Sequence, residues 1–211
     1  MRKNNLLLLA CLCCAFFLSG QVVANSQEVA PGITLPSTGT VYSVDLVGNK
    51  SSLVQVHPTE IAANTHAGSN FARSMVYSGP HSSIELKGVS SAATLHISEA
   101  VFYVRLAGSE DPEILRNRVK LIQLKQVKDR RMVSDFSMNI FGGQRRQRYQ
   151  EIPVEKQDVP GGVWLKLVPE KALAPGEYGI VFMPKDPNFF ADAVYDFTIA
   201  TSEKKVNSGG N

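Results

Sequence analysis

The sequence predicts an all-β protein built as an antiparallel β-sandwich, and three observations near the C-terminus carry this prediction. Three segments between residues 163 and 199 alternate apolar and polar side chains with a period of two, which is typical of strands with one buried face. Pro and Gly residues separate these segments, as they do in tight connections between antiparallel strands. The third observation is the joint between the first two segments, Leu173-Ala174-Pro175-Gly176-Glu177-Tyr178.

This joint has the residues of a corner between two strands. Pro175 fixes its own φ angle, Gly176 permits a positive φ, and Leu173 can close the end of a core. The motif resembles the L-x-P-G-x-Y corner of immunoglobulin-like and fibronectin-type sandwiches. That resemblance implies that Tyr178 begins the penultimate strand and bonds its hydroxyl to upstream backbone. It implies a fold but no activity. The chain as a whole is also similar to uncharacterised secreted bacterial proteins.

The first 24 residues have the pattern of a secretory signal peptide. Arg2 and Lys3 form a basic start, residues 6–18 are apolar, and Val22-Val23-Ala24 offers small residues for cleavage after Ala24. We therefore expect an exported protein, periplasmic or extracellular, with no transmembrane segment once the signal is removed. A lipoprotein-like box ending at Cys11 would leave too short an apolar region before it, so we do not expect a lipid anchor.

Composition excludes several classes of function for the mature chain, residues 25–211. All cysteines lie inside the signal segment, which excludes disulfides, thiol catalysis and Cys-ligated zinc; they are Cys11, Cys13 and Cys14. Without Arg2 and Lys3 the chain has 20 basic and 19 acidic residues, a net charge of +1. This near-neutral balance argues against nucleic acid as a partner. We expect no cofactor.

The strand pattern divides the mature chain into four parts. Residues 25–39 are predicted to be a loose lead-in, and residues 40–98 an N-terminal β extension that begins with a hairpin. Residues 99–201 have the length of one immunoglobulin-like β-sandwich. Residues 202–211 are predicted to be a disordered tail.

Two surfaces are candidates for binding. The adjacent rings of Phe189 and Phe190, in the loop before the last strand, either form a contact patch or close the end of the sandwich. Arg145, Arg146 and Arg148 lie in a polar loop, and Arg forks suit carboxylate or phosphate groups. The basic residues of the preceding hairpin could join them; these are Lys128, Arg130 and Arg131. A solvated charge run that protects a sheet edge is the alternative interpretation.

The catalytic signals are weak, so we expect no enzyme and no metal site. His57, His66 and His81 fall in or beside a loop-rich stretch near Glu60, but their spacing is unlike that of a zinc ligand set. The chain has no G-x-S-x-G motif and no glycine-rich phosphate loop followed by a helix. We expect a non-catalytic module with a binding or structural role in the cell envelope, whose partner is an envelope protein or an anionic polymer. The alternatives are an anionic glycan or lipid binder that uses the basic hairpin, and a metal-dependent hydrolase.

Overall fold

The computed structural model describes residues 27–64, 81–108, 110–138, 145–186 and 190–200. The signal segment, Phe189, His66 and the C-terminal tail lie outside the described residues. One short helix is described, α1 (Pro112–Arg118). In chain order the strands are β1 (Glu28–Ala30), β2 (Ile33–Thr34), β3 (Val41–Val47), β4 (Lys50–Val56), β5 (Pro58–Glu60), β6 (Ala62–Asn64), β7 (His81–Lys87), β8 (Thr94–Leu95), β9 (Phe102–Arg105), β10 (Val119–Val127), β11 (Arg130–Met138), β12 (Arg145–Arg148), β13 (Gln150–Ile152), β14 (Val154–Asp158), β15 (Trp164–Pro169), β16 (Gly176–Phe182) and β17 (Ala193–Ile199).

The prediction of an all-β sandwich is confirmed, because two antiparallel sheets enclose a common core. The smaller sheet has five strands in the order β14-β15-β9-β3-β4. The predicted N-terminal hairpin, β3 and β4, pairs directly with β9 in this sheet. The described strands of residues 40–98 therefore pair with strands of the C-terminal half within the same two sheets.

The larger sheet has ten strands, and its path runs β5-β17-β16-β10-β11-β7-β6. The hairpin of β10 and β11 is paired only next to its turn, from Lys125 to Met132, and its arms then separate. Residues 145–152 run between the arms, since β12 pairs with β11 and β13 pairs with β10. The polar loop predicted around Arg145 to Arg148 is therefore wrong. Residues 145–148 form a strand because they supply backbone partners to β11, while residues 150–152 supply them to β10.

The larger sheet also curls towards closure. Its terminal strands β5 and β6 are consecutive in the chain, with only Ile61 between them. β5 pairs with β17, and β6 pairs with β7. Because one short stretch of chain touches both ends of the sheet, these strands form a barrel-like enclosure attached to the sandwich. We call the end of this enclosure at the β10–β11 turn its upper end, and the end near the start of β12 its lower end.

The strands β10, β16 and β17 are buried on both faces, because each face covers a separate core. One face packs against the smaller sheet, where the rings of Phe102 and Phe197 lie 4.6 Å apart. The other face lines the curl, whose core includes Ile122, Val181 and Val194. A third cluster covers the outer face of the smaller sheet; its buried members are Leu35, Tyr42, Tyr103, Val159 and Trp164.

The lead-in predicted to be loose is ordered over its described part. β1 and β2 pair with each other. Leu35 is only 1% exposed, and its backbone N–H donates to the carbonyl of Gln27 at 2.8 Å. The apolar side chain of Leu35 holds this segment against the sheet, a contact that the low apolar content of residues 25–38 does not indicate.

The corner residues occupy the positions that the motif predicts. The hydroxyl of Tyr178 donates to the carbonyl of Ala174 at 2.9 Å, and Leu173 is buried in the sandwich core. Gly176 has a φ of 157°, which side-chain-bearing residues rarely adopt. A second tyrosine makes a bond of the same span: the hydroxyl of Tyr42 donates to the carbonyl of Thr38, four residues earlier, at 2.9 Å. Gly39, which lies between them, has a φ of 80°. The second corner lacks the L-x-P-G-x-Y motif, because Pro36 and Gly39 stand at different distances from the Tyr than Pro175 and Gly176 do.

Replacing Tyr178 with phenylalanine is expected to lower the free energy of unfolding by about 1 kcal/mol, the net value of one hydrogen bond. Tyr42→Phe is expected to cost a similar amount, because its bond has the same length and span. Urea denaturation of both variants measures the loss. A change below about 0.3 kcal/mol in either variant would show that its corner bond adds nothing to stability.

Candidate functional site

The structure describes one of the two predicted aromatic residues, and it is buried. Phe190 is 8% exposed and packs in the core of the curl. Its ring meets that of Tyr149 edge-on, with the centroids 6.3 Å apart. Phe190 therefore closes the lower end of the enclosure, and a contact patch made by its ring is excluded by its burial.

The predicted basic surface is divided between the two ends of the enclosure. β12 carries Arg145, Arg146 and Arg148 at the lower end, where Arg148 is exposed and lies opposite Asp135 of β11. Arg130 and Arg131 begin β11 at the upper end. The nearest members of the two groups are Arg131 and Arg148, and the four strand positions from Arg131 to Asp135 separate them by about 13 Å. The basic residues that were predicted to form one continuous surface therefore lie in two separate places. The ring contact between Tyr149 and Phe190 places the end of β12 next to Phe190.

Arg131 is not available to an outside partner, because it is buried in an ion network. Its side chain is 3% exposed and donates to the carboxylates of Asp196 and Glu177, the latter at 3.4 Å. Its other nitrogens donate to the carbonyls of Gly88 and Lys87, both at 3.2 Å. The guanidinium thus joins the β10–β11 turn region to β16, to β17 and to the segment after β7.

The carboxylates of this network hold a further segment in place. Glu177 accepts from the backbone N–H of Ser91 at 3.0 Å and from the hydroxyl of Thr198 at 2.7 Å. The hydroxyl of Ser91 donates to the carbonyl of Asp196 at 2.7 Å. We call Arg131, Glu177 and Asp196 the upper ion network; with one positive and two negative charges, its formal charge is −1.

Two other buried carboxylates also have partners inside the fold. Asp45, with a side chain 3% exposed, accepts from the backbone N–H of His96 at 2.7 Å and contacts its Nδ1 at 2.8 Å. Burial raises the pKa of Glu85, but hydrogen bonds from Ser83, Asn64 and Arg130 outweigh burial and hold this pKa below its ordinary value. These acids therefore anchor chain segments, which is a structural role.

A cleft of about 330 Å³ opens beside the upper ion network. It lies where β5 and β8 leave a gap along the outer edge of β17: β5 pairs with residues 193–195 and β8 with residues 198–199. Asp196 lies at this gap. The lining combines hydroxyl, amide and imidazole groups with small apolar ones; it consists of Val54, Gln55, His57, Thr59, Ser91, Ala92, Ala93, Thr94 and Asp196.

One wall of the cleft belongs to β4, which is the last strand of the smaller sheet on this side. Among the described residues no strand pairs with its outer edge. From Ser51 to Val56 it carries no charge, with Leu53 and Val54 half-buried and Gln55 exposed. A strand edge of this kind presents backbone N–H and C=O groups that can pair with another chain.

The opposite edge of the same sheet, β14, is protected. Lys156 donates to the carbonyls of Arg116 and Val119 at 2.6 and 2.8 Å, which ties β14 to the end of α1. Burial, with a further contribution from Lys120, lowers the pKa of Lys156. Asp158 pairs with Arg116 at 2.6 Å. Charged side chains and an adjacent helix are means by which proteins block strand edges, whereas the only charged residue of β4 is Lys50, at its first position.

The residues proposed for metal catalysis are not gathered by the described part of the structure. His57 and Glu60 are both exposed. No group of three His, Cys, Asp or Glu residues that could hold a metal ion occurs among the described residues. The prediction for His66 lies outside them.

Comparison of the chain with protein-family models, with curated proteins and with solved structures found no match. In the part of the chain that the structure describes, no helix has the length and apolar character needed to cross a membrane.

Proposed function

We propose that the protein is an exported, non-catalytic β-module of the cell envelope that binds a protein partner through the β4 edge and the adjoining cleft. The signal-like pattern of residues 1–24 supports export. The Tyr178 corner bond supports the resemblance to immunoglobulin-like sandwiches, a fold that often serves binding. The observation that carries the proposal is the contrast between the charged, covered β14 edge and the β4 edge, which carries no charge from Ser51 to Val56.

The chemistry of this edge favours an extended peptide as the ligand. In strand addition, backbone hydrogen bonds supply affinity and pockets for alternate side chains supply specificity. β4 offers the backbone groups, and the cleft at its C-terminal end is large enough for one or two side chains of the added strand. Thr59 and Ser91 bring hydroxyl groups to the lining of this cleft.

A non-catalytic role is supported by the state of the buried acids. A general acid or base must reach a substrate atom, and a free buried carboxylate is the usual sign of such a group. Here Asp45, Glu85, Glu177 and Asp196 each bond to groups of the fold itself. Their charges are used to hold strands and connecting segments together.

The proposal is tested by capture of partners from an envelope extract with the mature protein, residues 25–201. The variant Ser51→Lys/Gln55→Lys places two charges on the exposed side of β4 and is expected to lose at least tenfold of the captured partner. The matched control, Ser98→Lys/Ala107→Lys, adds the same charges at exposed positions outside β4 and should capture normally. Amide hydrogen exchange then shows whether β4 becomes protected in the captured complex.

Capture that is equal in both lysine variants would overturn the β4 edge as the binding site. A parallel arm uses Arg145→Ser/Arg146→Ser/Arg148→Ser at low and high salt. If capture is lost in this arm and with salt, while the β4 variant binds normally, the lower end of the enclosure binds an anionic polymer instead.

A further inference from the structure

We propose that one partner of the β4 edge is a second copy of this chain, paired antiparallel with it, β4 against β4. This inference rests on the proposed function insofar as both use the same strand edge. Two copies joined in this way would continue the smaller sheet across a twofold axis. Closed twofold dimers are the commonest assemblies of soluble proteins, and their interfaces require a surface that complements itself.

The sequence of β4 complements itself in one full-length register. With Leu53 opposite its own counterpart, Ser52 faces Val54 and Ser51 faces Gln55. Lys50, the only charged residue of the strand, then faces Val56. All seven residues are paired, and no like charges stand opposite each other. Like charges in directly opposite positions destabilise a strand pair, whereas β-branched and polar pairs are accepted.

The same register brings a positive charge to the mouth of the cleft. Directly opposite residues of an antiparallel pair point to the same side of the sheet. Lys50 of the second copy would therefore point to the side of Val56, which faces the sandwich core. That is the side on which Val54 and Asp196 line the cleft. Because the upper ion network has a formal charge of −1, a cation is attracted to this place, and the symmetry places one Lys50 at each cleft.

The difference between the two edge strands of the smaller sheet explains why a second copy would pair with β4 and not with β14. A copy approaching β14 meets Glu155 and Asp158, and it has to displace the bonds of Lys156 to the carbonyls of Arg116 in α1 and Val119 in β10. A copy approaching β4 meets Ser, Leu, Val and Gln side chains, and the single charge of the strand, Lys50, lies at its first position. A seven-residue strand pair buries little area by itself, so we expect a dimer that dissociates on dilution.

Cysteine cross-linking tests the register directly, because no cysteine occurs in residues 25–211. Leu53→Cys places two sulfur atoms across the twofold axis, where opposite Cβ atoms lie about 4.5–5.5 Å apart, close to disulfide geometry. Ser51→Cys is the matched control, since its two copies are offset by four residues, about 13 Å. We expect mild oxidation to cross-link L53C at least tenfold faster than S51C. Equal rates, or no cross-linking of L53C, would overturn the register.

A charge exchange tests the same dimer without altering Leu53. In S51K/Q55K the introduced lysines face each other across the axis, and sedimentation at increasing concentration should show a monomer. In S51K/Q55E each introduced lysine faces an introduced glutamate, and the dimer of the unaltered protein should return. A monomeric unaltered protein at millimolar concentration would overturn the dimer. It would leave the proposed function standing if capture from the extract still depends on β4.

Discussion

Replacing Arg131 with methionine is expected to lower the free energy of unfolding by about 3–5 kcal/mol, the cost of breaking a buried ion pair on one side. The methionine fills similar volume but leaves Glu177 and Asp196 with excess negative charge in a buried place. It also removes the donors to the carbonyls of Lys87 and Gly88. Urea denaturation followed by circular dichroism measures the loss.

Two comparisons identify the ion network as the cause. Arg130→Met, at the neighbouring exposed arginine, is expected to lower the free energy of unfolding by less, because its partner Glu85 keeps the hydrogen bonds from Ser83 and Asn64. The triple variant Arg131→Met/Glu177→Gln/Asp196→Asn should lose less free energy of unfolding than the sum of the losses in the three single variants, because no unpaired buried charge remains in it. Additive losses, or equal losses at Arg130 and Arg131, would contradict the role given to the network.

Gly179→Ala is expected to destabilise the protein by about 1–3 kcal/mol, the usual cost of overpacking a core. Gly179 lies in the middle of β16, where both faces are covered. A Cβ at this position would overlap Cγ1 of Val194, which is itself fully buried. The strand cannot move away from this contact, because β16 is held between β10 and β17. Thermal or urea unfolding measures the effect.

The compensating change is Val194→Ala, which removes the overlapping methyl group. In the double variant Gly179→Ala/Val194→Ala, the loss should be at least about 1 kcal/mol smaller than the sum of the two single losses. Gly108→Ala is a suitable control, because Gly108 is exposed and its nearest neighbour for a Cβ is 3.9 Å away. Additivity in the double variant would show that crowding at Val194 is not what excludes a side chain from position 179.

The sequence predicted the strands of the sandwich well but could not predict the second core. Alternation of Tyr178 and Ile180 with Gly179 and Val181 indicates a strand with one buried face. The structure buries both sets, since Val181 faces the curl while Ile180 faces the smaller sheet. A two-residue period distinguishes the two faces of a strand, but the number of layers depends on strands such as β7 and β11 that lie far away in the chain.

The candidate site was harder to predict than the fold, and Arg131 shows why. Within Lys128-Asp129-Arg130-Arg131 it has the local setting of an exposed turn residue. Its burial depends on Glu177 and Asp196, which lie 46 and 65 residues further along the chain. The cleft likewise combines three separate segments of the chain, residues 54–59, residues 91–94 and Asp196. In contrast, the Tyr178 corner was predictable because its bond spans four residues.

The position of β17 has a consequence for how the chain reaches this structure. This strand ends the described chain, yet it contributes Phe197 to one core and Val194 to the other. Neither core can be completed before it has been synthesised. At about 5–20 residues per second, roughly 8–30 s pass between the synthesis of Val41 and that of Ala193. During that interval the core residues of the early hairpin, Val41 and Val56, lack the side chains of β17 that complete their core, and this apolar surface is open to contact with other unfinished chains.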